Sequence, residues 1–224
     1  MFNNLSLPIV ILSSPRTGST ALAKDILSFF IKIDPTVVWL NEIAVRVPDK
    51  PLSVHFAHWA LFRGEKIYDE IGFNNLLNVN PFILKTHAVN AFYYYPDSFK
   101  DRLLSGDFSV VRIRRRNMLE QCISAFIAFN TRKWDTSNDH NLFLEKTTIP
   151  IDNEQIHNAI SFIGRSNNVS NKFTGKISLD IVYEDYPFLT GITVKNTKIS
   201  NYEEIKTEVS KMLNMLRIKQ WNEY

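Results

Sequence analysis

Apolar residues divide the chain into short β-branched runs and longer stretches with helical spacing. Ile9-Val10-Ile11-Leu12 is a continuous apolar run, the pattern of a buried strand. From Thr20 onward Leu22, Ile26, Phe29 and Phe30 fall near one face of a helix. Asp34-Pro35 marks a turn before a second short strand, Val37–Leu40, and Pro81–His87 reads as a third strand running into a loop. Pro96-Asp97 opens a helix to about Leu104 that Gly106 stops, and Phe108–Arg115 is a fourth strand. Its alternation sets Arg112 and Arg114 on one face, with Val111, Ile113 and Arg115 on the other. A helix carrying Met118, Leu119, Cys122, Ile123, Phe126 and Ile127 follows Arg116.

The second half continues the alternation. Asp152–Gln155 has capping-box spacing and opens a helix through Ile163, Ile177–Tyr183 is a late strand, and Ser200–Glu203 is a second capping box. The final helix sets Ile205, Val209, Met212, Leu213 and Leu216 on one face. Residues 45–80 form an irregular excursion punctuated by Pro48 and Pro51, with a short amphipathic helix around His55, His58 and Trp59; residues 133–150 are a polar loop. Strands alternating with helices predict an α/β fold: a single domain over residues 1–224 with a central parallel sheet flanked by helices on both faces.

Composition bounds the chemistry. With 224 residues, 45% hydrophobic and 22% charged, the chain can bury a core of ordinary size. A net charge of +3 suits an anionic ligand but is too small to indicate nucleic acid. Cys122 is the only cysteine, which excludes an intrachain disulfide framework and a cysteine-based zinc site. His55 and His58 lack the carboxylates or thiolates that would complete a metal set, so packing or surface roles suit them better. No run is long and apolar enough for a membrane span, and the N-terminus lacks a signal-peptide pattern, so a cytoplasmic location is expected.

Candidate chemistry lies at strand-to-helix junctions. Ser13–Thr20 is a polar, cationic turn feeding a helix start, where unpaired N–H groups and the helix dipole attract anions. Gly18 allows close backbone approach, Ser19 and Thr20 add hydroxyls, and Arg16 adds a planar fork suited to phosphate or sulfate. The nucleotide-triphosphate spacing G-x-x-x-x-G-K-[ST] is absent, and one glycine does not make a dinucleotide fingerprint. Glu42 sits just past a strand end, where open α/β sheets bind ligands; a solvated loop carboxylate is the equal alternative. Lys85-Thr86-His87 also closes a strand.

Ser14-Pro-Arg-Thr-Gly-Ser-Thr20 resembles the 5′-phosphosulfate loop, P-[KR]-[ST]-G-[ST]-T, of sulfotransferases that use 3′-phosphoadenosine-5′-phosphosulfate (PAPS). VVRIRRRNMLEQCISAF resembles their 3′-phosphate motif, with Arg116 and Ser124 eight residues apart; its form is closer to bacterial enzymes of the trehalose 2-sulfotransferase type than to the animal cytosolic ones. Lys85-Thr86-His87 resembles the K-T-H of the cytosolic enzymes, and Tyr183-Glu-Asp185 resembles a structural tripeptide after a late strand. The chain departs from the family at Ala88-Val89-Asn90, where Leu-Pro usually follows, and at Ala21, where a Trp often stacks on adenine.

The resemblance implies a P-loop NTPase-like sulfotransferase fold and in-line transfer of a sulfuryl group from PAPS to a hydroxyl or amine, releasing 3′,5′-ADP without a metal. It implies that Arg16, Thr17, Gly18, Ser19 and Thr20 hold the 5′ end and that Arg116 and Ser124 hold the 3′-phosphate. The basic loop with Lys195 and Lys198 would close over the donor, though the family's Arg-Lys-Gly is missing there. Arg16 and Lys85 would stabilise developing charge, and the base would be His87 or Glu42. The acceptor is open among small molecules, sugars, lipids and peptides, with no nucleic-acid partner expected and the oligomeric state undetermined. Two alternatives remain: a P-loop-type small-molecule kinase, disfavoured by the missing lysine and strand-borne Asp, and a non-catalytic polyanion-binding protein using Arg112 to Arg116.

Overall fold

The computed structural model describes residues 2–48, 67–79, 81–131, 147–186 and 199–222. The expected helix at His55 and His58, most of the polar loop at 133–150, and Lys195 and Lys198 lie outside the described residues. A five-stranded, fully parallel sheet is built from β1 (Ile9–Ser13), β2 (Val38–Asn41), β5 (Phe82–His87), β6 (Ser109–Arg114) and β7 (Leu179–Val182), in the spatial order β2-β5-β1-β6-β7. The β-branched runs took the strand positions because parallel strands covered on both faces need apolar side chains on both.

One face, with Val10, Leu12, Leu84 and Val110, is covered by α2 (Glu70–Val79), α3 (Ala88–Tyr93) and α4 (Asp97–Ser105), through Phe73, Leu77, Ala91, Phe99 and Leu103. The opposite face, with Ile9, Ile11, Ile83, Val111 and Ile181, is covered by α1 (Ser19–Ile31) through Leu22, Ala23, Ile26 and Phe30. A third apolar cluster joins α5 (Met118–Thr131), α6 (Asn153–Asn171) and α7 (Tyr202–Asn222). The α/β class, the parallel sheet and its helical layers match the sequence expectation.

Several local features differ from it. Two short parallel strands, β3 (Ala44–Arg46) and β4 (Ile67–Asp69), and helix α2 lie in the stretch read as irregular. Helix α3 begins directly after His87, where a loop was expected. Helix α6 continues past Ile163 to Asn171, because Ser166 and Ser170 extend its buried face. Helix α7 starts one residue later than the Ser200–Glu203 box requires: Ser200 Oγ donates to Thr147 O, and Asn201 C=O accepts the first helical bond, from Ile205 N.

The Arg112/Arg114 alternation also has a structural consequence. Register pairs Arg112 with Asp180, and both guanidinium groups fork onto that carboxylate, with Nη2 of Arg112 at 2.7 Å and of Arg114 at 2.8 Å. Burial works against the Asp180 charge, but the bonds from Arg112 and Arg114 outweigh it and hold its pKa below the ordinary value. A depressed folded-state pKa gives stability that is present above the unfolded value of about 3.9 and is lost as pH falls through the folded one. The stability gap between the parent and Asp180→Asn is therefore expected to be widest at neutral pH. Urea unfolding at pH 7 and near pH 3 checks this, and a gap that does not shrink in acid refutes it.

Candidate functional site

Strand order locates the site before any side chain does. The chain leaves β1 toward the β5–β2 side and leaves β6 toward β7, so the sheet's direction of growth reverses between β1 and β6. In open α/β sheets ligands bind at such a switch point, beyond the carboxyl ends of the strands. Both cationic junctions, Ser14–Thr20 and Arg115–Ser124, emerge there.

The turn after β1 is bent by two left-handed residues, Arg16 at φ 62° and Gly18 at φ 71°, with Gly18 as the N-cap of α1. Backbone that alternates into the left-handed region in this way makes an anion-binding concavity, here at a helix N-terminus. Thr17 and Ser19 are buried in the turn, whereas Thr20 is half-buried. The Thr17 hydroxyl donates to Ser14 O at 2.8 Å, so it shapes the turn.

The junction after β6 braces this turn through three contacts. Arg16 Nε donates to Ser124 Oγ at 2.8 Å, Arg115 Nη1 donates to Arg16 O at 3.2 Å, and Gln121 Nε2 donates to Pro15 O at 2.6 Å. Gln121 is fully buried, and its amide orientation is set by Asn167 of α6, which donates to its Oε1 at 3.1 Å. The sequence singled out Arg16 and Ser124 as parts of different motifs; the structure joins them directly.

Arg115 and Arg116 divide as strand alternation requires. Arg115 is turned inward, its side chain only 10% exposed, stacked 4.8 Å over the Tyr183 ring and 3.6 Å from Glu184. Arg116 is 65% exposed and pairs with Asp185 at 2.5 Å. The structure thus does not bring Arg116 and Ser124 onto a common partner. Glu184 accepts the backbone N–H groups of Arg116 and Asn117 at 2.9 and 3.0 Å, ahead of α5. Burial opposes the Glu184 charge, but those backbone bonds and the Arg115 charge hold its pKa below the ordinary value. The Tyr183-Glu-Asp185 tripeptide, a 3₁₀ turn, is therefore a clamp on the β6–α5 junction, in keeping with its expected structural role.

On the other side of β1 lies a buried polar cluster. Register sets Ser13 opposite His87 and Asn41 opposite Lys85, and Glu42 N donates to Lys85 O at 2.8 Å. Glu42, Lys85 and His87 therefore meet at the strand ends: Lys85 Nζ is bonded to Glu42 Oε1, and His87 Nε2 stands 3.3 Å from the same oxygen. Glu42 and Lys85 are both buried, so Glu42 is no solvated loop carboxylate. Burial, together with Lys85, pushes the His87 pKa below its ordinary value against the opposing pull of Glu42. Thr86 Oγ1 points away from this group, bonded to the Tyr95 hydroxyl at 3.1 Å.

Backbone strain marks the same two places. Among the described residues, Arg16 and Glu42 (φ 51°) are the non-glycine residues with positive φ. Such conformations cost on the order of 1–3 kcal/mol each and concentrate at functional sites. Sequence reasoning missed this signal, as well as the brace formed by Arg115 and Gln121. Gln121 lay inside the quoted motif, and strand alternation had already turned Arg115 inward. No protein-family model matches the chain, and no curated protein matches it.

Proposed function

We propose that the protein is a sulfotransferase, moving a sulfuryl group from PAPS to a hydroxyl or amine of an acceptor and releasing 3′,5′-ADP, on a P-loop NTPase-like sulfotransferase fold. One observation carries the reading: the two cationic junctions converge at the switch point, with Arg16 on Ser124, beside a buried Glu42–Lys85–His87 cluster. Arg16 and the first turn of α1 supply fixed positive potential for an anionic donor. The acceptor's oxygen or nitrogen attacks sulfur as the bond from sulfur to the bridging phosphate oxygen breaks, and the acceptor's proton passes to a base in the buried cluster. Arg16 and Lys85 act on the charge that builds on the sulfuryl and leaving oxygens.

The polyanion-binding alternative is less well supported. Arg112 and Arg114 are engaged by Asp180 and Arg116 by Asp185, so the arginine run is balanced locally by carboxylates.

Calorimetry with 3′,5′-ADP and AMP tests the donor assignment. The exposed Arg116–Asp185 pair is worth about 0–1 kcal/mol, so a phosphate can displace Asp185 at little cost. A charge-assisted bond to the 3′-phosphate is worth about 1.5–3 kcal/mol, so Arg116→Ala is expected to weaken 3′,5′-ADP binding roughly 10- to 150-fold and to leave AMP unaffected. Equal affinity of the parent protein for the two nucleotides would remove the 3′-phosphate from the site.

A further inference from the structure

The proposed chemistry needs a base, and the hydrogen-bond valences of the buried cluster say how its members divide the work. His87 Nδ1 lies 3.2 Å from the Ser13 hydroxyl, which is fully buried and directly opposite in the β1–β5 register; the other acceptor in that hydroxyl's reach, Thr86 O, is farther, at 3.4 Å. Its Nε2 lies 3.3 Å from Glu42 Oε1, the same oxygen that holds Lys85 Nζ. An ionised carboxylate can only accept, so a lone pair on Nε2 would face carboxylate lone pairs, whereas an N–H there faces an acceptor. A serine hydroxyl can donate to the nitrogen that remains.

We propose that Ser13 and His87 are a positioning pair for Glu42: Ser13 donates to Nδ1, the ring is held as the neutral Nε2–H tautomer, and that N–H is directed at the carboxylate that takes the acceptor's proton. This inference rests on the sulfotransferase reading for its catalytic half only. The ring's lone pair is engaged by Ser13, on the side away from Glu42, so His87 orients the base and is not the base. Burial of the ring lowers its pKa against the pull of Glu42 and of the Ser13 backbone, and so favours the neutral form the arrangement requires.

The proton balance links the cluster to the leaving group. When Glu42 takes the proton from the attacking hydroxyl or amine, its carboxylate becomes neutral and the Lys85 ammonium loses its ionic partner. The Lys85 charge then becomes available as negative charge grows on the departing phosphate oxygen. The positive φ of Glu42 and the bond from its N–H to Lys85 O hold the carboxylate where this exchange is possible.

The test has two arms. In the first, ¹⁵N-histidine NMR at pH 7 is recorded on the full chain, with His87 assigned by its loss in His87→Gln. A protonated Nε2 and an unprotonated Nδ1 are expected, and Ser13→Ala should mix the tautomers. An Nδ1–H tautomer or an imidazolium would overturn the proposal, and this arm requires no activity. In the second arm, His87→Gln keeps an amide N–H at the place of Nε2, so turnover from PAPS should stay within about tenfold of the parent and exceed that of His87→Ala. Loss of a true general base costs roughly 10²–10⁴. A His87→Gln protein that binds 3′,5′-ADP normally but has lost that much turnover makes His87 the base and overturns the proposal. If the parent shows no sulfuryl transfer at all, the enzymatic reading fails, while the tautomer result still decides the positioning geometry.

Discussion

Arg16→Gly is expected to lower kcat by roughly 10²–10³, the usual effect of removing one preorganised donor from a developing oxyanion, and to leave the fold more stable than Arg16→Ala does, although both lose the bond to Ser124. The difference between the two follows from the backbone. Arg16 sits at φ 62°, where a side chain costs roughly 1–2 kcal/mol and glycine does not pay that penalty. Arg16→Ala keeps the strain and loses the same bond, so it should lose the same rate and be the less stable of the two. Arg16→Lys keeps the charge but cannot reproduce the Nε–H bond to Ser124. Its kcat should fall between the parent and the alanine variant. A glycine variant more stable than the alanine variant at the same loss of turnover is the signature of strain held for function. If all three variants keep full kcat and show only a raised KM for PAPS, Arg16 binds the donor and does not act on the transition state.

Legibility of the fold in the sequence depended on how local each signal was. The β1–turn–α1 unit was readable because a β-branched run, a glycine at a helix start and an apolar helical face lie within about twenty residues. Helix α2 was missed because Gly72, Asn74, Asn75 and Asn78 dilute its helical pattern. Its start signal was present, since Asp69 Oδ1 accepts from Gly72 N at 2.7 Å. At α7 the capping-box spacing misled, because Asn201 is recruited instead to a reciprocal pair of bonds with the Ile149 backbone. That is a tertiary contact, and it overrode the local motif.

The site was legible as residue types but not as partnerships. Arg16, Glu42, Lys85 and His87 were identifiable at strand or helix ends, and Ser124 by its spacing of eight residues from Arg116. That Ser13 faces His87 follows from strand register, which depends on pairing two segments more than seventy residues apart. The same holds for Arg16 with Ser124 and for Gln121 with Pro15 and Asn167. A motif states which groups are available. The parallel sheet decides which of them touch.

Glu42→Gln is expected to have two consequences that one further substitution separates. As loss of a general base it should lower turnover by roughly 10²–10⁴. As loss of one half of a buried ion pair it should destabilise the fold by about 3–5 kcal/mol, because it leaves the Lys85 ammonium buried without its carboxylate. Lys85→Met in the same chain removes the orphaned charge. Replacing a whole buried pair by apolar or neutral groups is often neutral or even stabilising, by about 1–4 kcal/mol. The double variant should therefore recover most of the lost stability in urea unfolding while its turnover stays at the level of Glu42→Gln or below. That outcome would mean the pair is retained for chemistry, since it is not needed to hold the fold. A double variant that stays as unstable as Glu42→Gln would instead tie Glu42 to the strand ends for structural reasons. One that transfers sulfuryl groups within about tenfold of the parent would remove both residues from the reaction, because neither a base nor a charge-stabilising lysine can be lost at so small a cost.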